Sequence, residues 1–580
     1  MKRTRKSSLS SGSAYFSRNF LDPATPISCI GTGEIGGKAE GLAFIRNILH
    51  AELERDKFSD IKVDIPSMAI LCTDVFDSFM KQNQLDNLAY SNLPDDRIAH
   101  TFQKAELPFE VLGDLRSIVE QVHTPLAIRS SSMLEDTKNE PFAGIYHTKM
   151  IPNNEYDPDI RFRQLTEAIK FVYASTYFKA AKVYRKTIGH KVTDEKMAVI
   201  IQELVGRRYR SRFYPEVAGV ARSYNYYPLR PARPEDGVVN LALGLGKTVV
   251  DGGISWVYSP AFPKAEPPFL STPDMLVDTQ TEFWVVNMGE PPKYDPINEA
   301  EYITLENIAT AEADSSLQYV ASTYNTMSGR LSIGTGFKGP RVLTFAPLLL
   351  LKLVPFNDLM KSLLSICEQS LGTPVEIEFA MTFNPHRFGF LQVRAMAIPT
   401  DMVHVSEAEM EEANVVISSD GVLGNGAVDN IKDVVYVIPE RFELKNTKAI
   451  VPELELFNDK LLSAGLPYML IVFGRLGTTD PWLGIPVQWG QICGAKVIVE
   501  ATLANVRVEL SQGAHYFHNM INLGVKYFSL PFNQQNRIDW KWLREQEIID
   551  ETDFVRHVRL KAPLKIRVDG RKGRGVICKP

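Results

Sequence analysis

Residues 126–150 read LAIRSSSMLEDTKNEPFAGIYHTKM. Leu126, Ala127 and Ile128 form the short apolar run of a buried strand. Arg129 ends that run, Ser130, Ser131 and Ser132 follow, and Glu135 and Asp136 come next. Ala143-Gly144 makes a small-residue turn before a period-two run through Tyr146 and Thr148. An arginine fork, hydroxyls and a glycine turn that admits backbone N–H groups to oxygen atoms suit a polyphosphate. A plain surface loop between two strands uses the same letters, so the surrounding blocks must decide between them.

Upstream, Ile30 to Lys38 (IGTGEIGGK) precedes a helical pattern in which Leu42, Phe44, Ile45, Ile48 and Leu49 make one apolar face. Glycines before a helix turn free N–H groups and the positive dipole end toward an anion. Lys38 adds a mobile positive charge. No G-K-[ST] follows at Walker A spacing, and a simple helix entry has the same look. Met68 to Leu71 reads as a strand, with Thr73 or Asp74 as the cap of a following helix. Downstream, a helical region spans about Asp159 to Tyr184, with Phe162, Leu165, Ile169, Tyr173 and Tyr177 at core spacing. Met197 to Val205 (MAVIIQELV) reads as a buried strand. Val375 to Ala380 and Phe388 to Ala395 alternate and read as a hairpin. The period of two puts Glu376 and Glu378 on one side of their strand, and Gln392 and Arg394 on one side of the next. Carboxylate and amide oxygens suit Mg²⁺, and Arg394 suits phosphate. A solvated edge hairpin is the competing reading.

Taken in order, these blocks resemble the ATP-binding domain of the phosphoenolpyruvate synthase and pyruvate phosphate dikinase family. The family's A-V-R-S-S-A-x-x-E-D and S-F-A-G-Q-x-x-T segments match Ala127, Arg129, Ser130, Ser131, Glu135, Asp136, Phe142, Ala143, Gly144 and Thr148. Its G-G-K-x-x-x-L block matches Gly36 to Leu42, which by resemblance places Lys38 on the nucleotide phosphates. Its V-x-V-Q-x-M-V strand resembles the segment ending in Gln202, Glu203, Leu204 and Val205, which implies that these four residues frame adenine. Val217 to Ser223 is similar to its S-G-V-x-F-[ST] strand. Gly244-Leu245-Gly246 is similar to its G-L-G-E loop, with Lys247 in place of the glutamate and the local charge therefore reversed. Its D-I-E-W-A and L-Q-x-R-P strands match the hairpin, so Glu378 and Gln392 stand at the metal pair and Arg394 at the arginine.

The resemblance implies an α+β, ATP-grasp-like nucleotide-binding fold of two subdomains. It spans 25–400, with halves of about 25–215 and 216–400. A disordered basic tail at 1–24 and a smaller α/β domain at 405–580 flank it. The implied activity is phosphoryl transfer from ATP with Mg²⁺, in which Lys38, Arg129 and Arg394 act on the phosphates. The acceptor is open, with pyruvate or a partner protein as candidates, and so is AMP against ADP as product. A non-catalytic ATP-binding sensor is the alternative, and Lys247 and the absent acceptor domain favour it. The family's T-S-H phosphohistidine setting is not visible, and the roughly 180 residues after the ATP domain are few for a pyruvate barrel. In that region Gly474 to Asp480 reads as a turn-rich segment and Gly490 to Val508 as strands. His515 and His518 fall three apart on a helix, where they suit either a ligand site or a packed pair.

Composition sets the outer bounds. Of 580 residues, 44% are hydrophobic and 23% charged, which is ordinary for a soluble globular chain. A net charge of −5 argues against a general nucleic-acid partner. Five scattered cysteines show no metal-ligand spacing and fit a reducing, cytoplasmic setting. The greasiest run, Leu343 to Phe356, is broken by Pro347, Lys352 and Pro355 and is too short for a membrane span.

Overall fold

The computed structural model describes residues 14–135, 144–187, 195–226, 228, 231–265, 275–276, 279–396, 403–478, 482–502, 520, 524–531, 538–570 and 572–580. It is a mixed α/β protein with several mixed sheets. The chain divides into two compact units. One holds residues up to 395 except 226–228 and 250–253, and the other holds those two short segments together with 396 onward.

The first unit is built on two six-stranded sheets. In one, the strands run in the order Ala14–Tyr15, Ile27–Ile30, Met68–Leu71, Met197–Glu203, Leu126–Ser132, Thr148–Ile151. Its first three strands are parallel, and the Met197–Glu203 strand pairs antiparallel with neighbours on both sides. A strand hydrogen-bonded on both edges and covered on its faces reads as a continuous apolar run, as MAVIIQE does. The second sheet has the order Trp256–Tyr258, Val238–Ala242, Val217–Arg222, Val375–Phe383, His386–Ala395, Lys62–Asp64. One contiguous core unites the two sheets and draws Ile70 and Ile200 from the first and Leu241, Phe379 and Phe390 from the second. Helices Gly37–Glu52 and Phe356–Leu371 also pack into it.

Several local expectations need correction. The helix face of Gly37–Glu52 is Lys38, Ala39, Leu42, Ala43, Ile45 and Leu49, while Phe44 is 44% exposed. The two alanines and the lysine stem let the backbone approach its neighbours where a phenylalanine would hold it away. Neither Thr73 nor Asp74 caps its own helix, whose N-cap is Cys72. They cap the glycine loop instead. Thr73 Oγ1 accepts the Glu34 N–H at 3.0 Å, and the Asp74 carboxylate accepts the Thr32 N–H at 2.8 Å. The expected 159–184 helix is two helices, Pro158–Ser175 and Lys179–Thr187, separated by a turn at Thr176–Phe178. The Asp157 side chain caps the first by accepting from the Asp159 N–H at 2.8 Å.

Two small sheets complete this unit, one of them Ile303–Asn307, Glu282–Asn287, Arg212–Tyr214 and Arg207–Tyr209. The second unit has a seven-stranded sheet whose four middle strands, Lys526–Leu530, Ala495–Ala501, Tyr468–Phe473 and Asp433–Val437, are parallel. The Gly474 turn region closes through a two-stranded parallel pair, Arg475–Leu476 with Gly484–Ile485. His515 and His518 lie outside the described residues, as do Asp136, Phe142, Ala143 and Asp480. Among the described residues no helix is long and apolar enough to cross a membrane.

Candidate functional site

Four segments far apart in the sequence converge between the two six-stranded sheets. The glycine loop comes first. Gly36 has φ +75°, and a Cβ there would lie 1.7 Å from the Ser131 carbonyl oxygen. A Cβ on Gly37 would lie 1.8 Å from that of Glu135. These glycines therefore serve close contact with the serine strand. The contact sets Lys38 in the first turn of its helix with Nζ 3.1 Å from Glu135 Oε1, the side chains being 10% and 4% exposed. One turn further along the same helix, a Cβ on Gly41 would come within 3.3 Å of the Val393 carbonyl, so the helix also touches the hairpin.

The serine hydroxyls are spent inside the protein. Ser130 Oγ donates to Glu135 Oε1 at 3.0 Å, and the Ser132 N–H donates to Glu135 Oε2 at 3.0 Å. Ser131 Oγ donates to the Ile35 carbonyl at 2.8 Å and accepts the Ala39 N–H at 3.0 Å. Ser132 Oγ bonds Glu195, whose other oxygen accepts from Tyr146 Oη at 2.7 Å. All three serines are fully buried. Ser130 thus braces the Lys38–Glu135 pair.

Arg129 leaves the same strand in the other direction and reaches the second sheet. Its Nη1 donates to the Leu391 carbonyl at 2.8 Å and to Gln202 Oε1 at 3.2 Å. Its Nη2 donates to Gln392 Oε1 at 2.9 Å and lies 3.4 Å from Glu378 Oε2. The hairpin beneath is laid out by strand register. Arg222, Glu376 and Arg394 are lateral neighbours across three strands, and Val220, Glu378 and Gln392 form the next row. Glu376 is clasped from both sides. Arg222 Nε donates to its Oε2 and Arg394 Nε to its Oε1, each at 2.6 Å. Arg394 Nη2 also reaches Glu378 Oε1 at 3.0 Å. Glu376 and Arg394 are almost wholly buried, with side chains 1% and 2% exposed, so each charge depends on the others for solvation. Arg129, Arg222 and Arg394 against Glu376 and Glu378 leave one excess positive charge, which suits an anionic ligand.

The adenine segment is more constrained than its spelling suggests. Met197–Glu203 is bonded on both edges, and the next N–H groups are also taken. Those of Glu203 and Leu204 donate to the Ser67 and Pro125 carbonyls at 2.9 and 3.0 Å. The Glu203 carboxylate holds Arg387 through two bonds of 2.9 and 3.0 Å. Val205 packs on Gly389, where a Cβ would lie 2.4 Å from its Cγ2. Gln202 accepts from Arg129, while its Nε2 is buried with no partner among the described residues. Beside this segment lies a small separate apolar cluster of Phe213, Leu245, Val286, Met288 and Ile303. Met150, Leu204 and Trp284 sit half-buried at its margin.

Leu245 enters that cluster through the glycine turn. Gly244 has φ +85°, and a Cβ there would meet the Trp284 carbonyl at 2.6 Å, whereas Gly246 has room around it. Lys247 Nζ lies 6.0 Å from the centre of the Trp284 ring. The reversed charge is answered locally by Glu299. Burial pushes the Glu299 carboxyl up, but His147, Lys247 and the Thr148 N–H outweigh it and hold the pKa at about 2. His147 Nδ1 sits 2.8 Å from Glu299 Oε2. Burial works to lower the His147 pKa, and the Glu299 carboxylate more than offsets it, so the net shift is upward. Thr148 pairs with Arg129 across the strands and gives its N–H to Glu299 Oε1 at 3.1 Å, while Gly144 turns at φ +66°.

The structure therefore brings Arg129, Gln202, Glu378, Gln392 and Arg394 into one network. Lys38 and Ser130 form a second one around Glu135. Leu204 lies at the margin of the apolar cluster and Gly244 turns against Trp284 beside it, whereas Glu203 and Val205 meet Arg387 and Gly389 of the hairpin. Sequence reading missed Arg222, Glu195, Glu299 and Arg387. Arg222 carries one usable signal, since it sits on a strand of otherwise small and apolar residues (VAGVAR). For a divalent cation, no group of three or more His, Cys, Asp or Glu assembles among the described residues. Glu378 Oε2 and Gln392 Oε1 nevertheless present hard oxygens to one cationic nitrogen, Arg129 Nη2. Mg²⁺ commonly takes one or two protein oxygens and completes its shell with phosphate and water, so the donor set fits.

A family model described as the pyruvate phosphate dikinase AMP/ATP-binding domain matches residues 32–414. An uncharacterized phosphotransferase of Bacillus subtilis (strain 168), YvkC, is 26% identical over 193 residues. The similarity covers 33% of this chain and 20% of that protein, so the chain spans about a fifth of its relative's length.

Proposed function

Because this chain belongs to the pyruvate phosphate dikinase AMP/ATP-binding domain family, we propose that it is an ATP-dependent phosphotransferase whose nucleotide lies between the two six-stranded sheets, in an ATP-grasp-like arrangement over residues 25–400. Arg129, Arg394 and Lys38 would hold the phosphates. The apolar cluster with Leu204 and Val205 would receive adenine, and the Gly244–Gly246 turn would lie over it. Glu378 and Gln392 would hold Mg²⁺, which supplies charge neutralisation on the phosphates when bound. The protein's own share is positioning. Glu376 fixes the Arg394 fork, and Glu135 fixes the Lys38 ammonium, before any phosphate arrives.

The observation that carries this reading is the convergence of Arg129 on Glu378 and Gln392, 249 and 263 residues away in sequence. Isolated surface motifs do not converge in this way. The sensor alternative rests on Lys247 and on the absent acceptor domain, and the neutralising Glu299 bears on the first of these alone.

The test is phosphorus NMR of the purified full chain with ATP and Mg²⁺, with and without pyruvate. AMP with phosphate supports dikinase chemistry, and ADP that depends on an acceptor supports a simple kinase. ATP that binds and stays intact under every condition overturns the enzyme reading in favour of a sensor.

A further inference from the structure

The guanidinium of Arg129 occupies the very oxygens proposed for the metal. Its Nη2 takes Gln392 Oε1 at 2.9 Å and Glu378 Oε2 at 3.4 Å, and its Nη1 takes the Leu391 carbonyl at 2.8 Å and Gln202 Oε1 at 3.2 Å. Four oxygens from three strands thus close on one cationic group. Glu378 carries Arg394 on its other oxygen at 3.0 Å. A divalent ion placed on Glu378 Oε2 and Gln392 Oε1 would meet two like charges within a few ångströms, in a pocket where the Arg129 and Glu378 side chains are only 11% and 12% exposed. Like charges at such range in a poorly solvated site repel strongly.

We infer that Arg129 is a resident cation that excludes the divalent metal until a polyphosphate draws it away, so that the site accepts a metal–nucleotide complex but not the metal alone. The inference rests on the proposed nucleotide site and adds its ligand class. Phosphate oxygens are the natural partner for a planar guanidinium fork, and they offer Arg129 more charge than one carboxylate and three neutral oxygens. When Arg129 turns to phosphate, Glu378 and Gln392 lose their cation at the same moment that the phosphates bring one. Arg394 stays, because Glu376 holds its Nε at 2.6 Å and Arg222 holds Glu376 in turn. The exchange puts a divalent ion where one positive charge stood, with the negative phosphates beside it. Arg129 reaches from the first sheet to the second, whereas Arg222 and Arg394 both bond Glu376.

The test uses Mn²⁺ as the probe, with the unbound ion followed by electron paramagnetic resonance on the full chain without nucleotide. Wild type should bind Mn²⁺ weakly, and Arg129→Met at least about tenfold more tightly, because the competing charge is gone. Arg129→Lys, whose ammonium lacks the fork, should fall between them. In Arg129→Met, millimolar guanidinium should displace Mn²⁺ where the same concentration of sodium does not, a response that a merely structural role would not give. If Arg129→Met unfolds by circular dichroism, the Lys variant decides by the same criterion. Equal Mn²⁺ affinity in wild type and in the folded variant overturns the inference. Wild-type binding of a non-hydrolysable ATP analogue with Mg²⁺ is measured alongside. Its failure would remove the nucleotide reading and this inference together, whereas its success with no Mn²⁺ gain in the variant removes this inference alone.

Discussion

The serine stretch at 126–150 and the hairpin at 375–395 look opposite in sequence and in structure. The first has the spelling of a phosphate loop, yet Ser130, Ser131 and Ser132 are buried and their hydroxyls go to Glu135, Ile35 and Glu195. The second has the spelling of an edge hairpin, yet it lies inside a six-stranded sheet and carries Glu376, Glu378, Gln392 and Arg394 on one face. The difference teaches that hydroxyls close to a site can be the frame that orients charge. From the serine stretch, Arg129 projects from that frame onto the hairpin.

The comparison can be broken most sharply at Glu376. Glu376→Leu would leave Arg222 and Arg394 without their shared carboxylate in a dry setting, and unfolding by denaturant should show a loss of about 3–5 kcal/mol. A loss under 1 kcal/mol would mean that water already reaches the pair. On the serine side, Gly36→Ala forces a Cβ onto the Ser131 carbonyl at a positive φ. Stability should fall by at least about 2 kcal/mol, and nucleotide affinity should fall with it as Lys38 shifts. Ser130→Ala is milder. It removes one donor to Glu135 and should cost about 1–2 kcal/mol in a melting experiment.

The smallest effect lies beside the serine stretch, at His147 and Glu299. The His147 pKa is raised in the folded state, so its contribution is complete below its ordinary value of 6.5 and is lost as pH rises through the higher folded value. The Glu299 pKa is lowered to about 2 from 4.5, so its contribution is complete above 4.5 and is lost as pH falls toward 2. The pair therefore supports the fold best between pH 4.5 and 6.5. His147→Gln should flatten the decline in melting temperature above that window, and a slope equal to wild type would contradict the pairing.

What the sequence made legible follows from local periodicity. The strand Met68–Leu71 follows from a short continuous apolar run, and the hairpin and the one-sided placement of Glu376 with Glu378 follow from the period of two. Contacts between distant elements were not legible: Ile35 is 96 residues from Ser131, and Gln392 is 263 from Arg129. Phe44 was misplaced because a helix face that needs close backbone approach selects Ala39 and Ala43 over a large ring. Thr73 and Asp74 were misassigned for a similar reason. A nearby loop with unpaired N–H groups competes for the same side-chain oxygens as the helix start. Arg387 and Glu203 show the limit of motif reading, since a carboxylate in the presumed adenine segment is wholly occupied by an arginine from the hairpin.

The central claim is that the hairpin carries the ligand chemistry and the serine strand braces it. Calorimetric titration of ATP with Mg²⁺ into Glu378→Gln and Ser130→Ala tests it most directly. The account predicts that Glu378→Gln, which keeps size and removes charge, loses at least about tenfold in Mg²⁺-dependent affinity, whereas Ser130→Ala stays within about twofold of wild type and shows its cost in melting temperature. The reverse pattern, with affinity lost on removal of the serine hydroxyl and kept without the Glu378 charge, would contradict it.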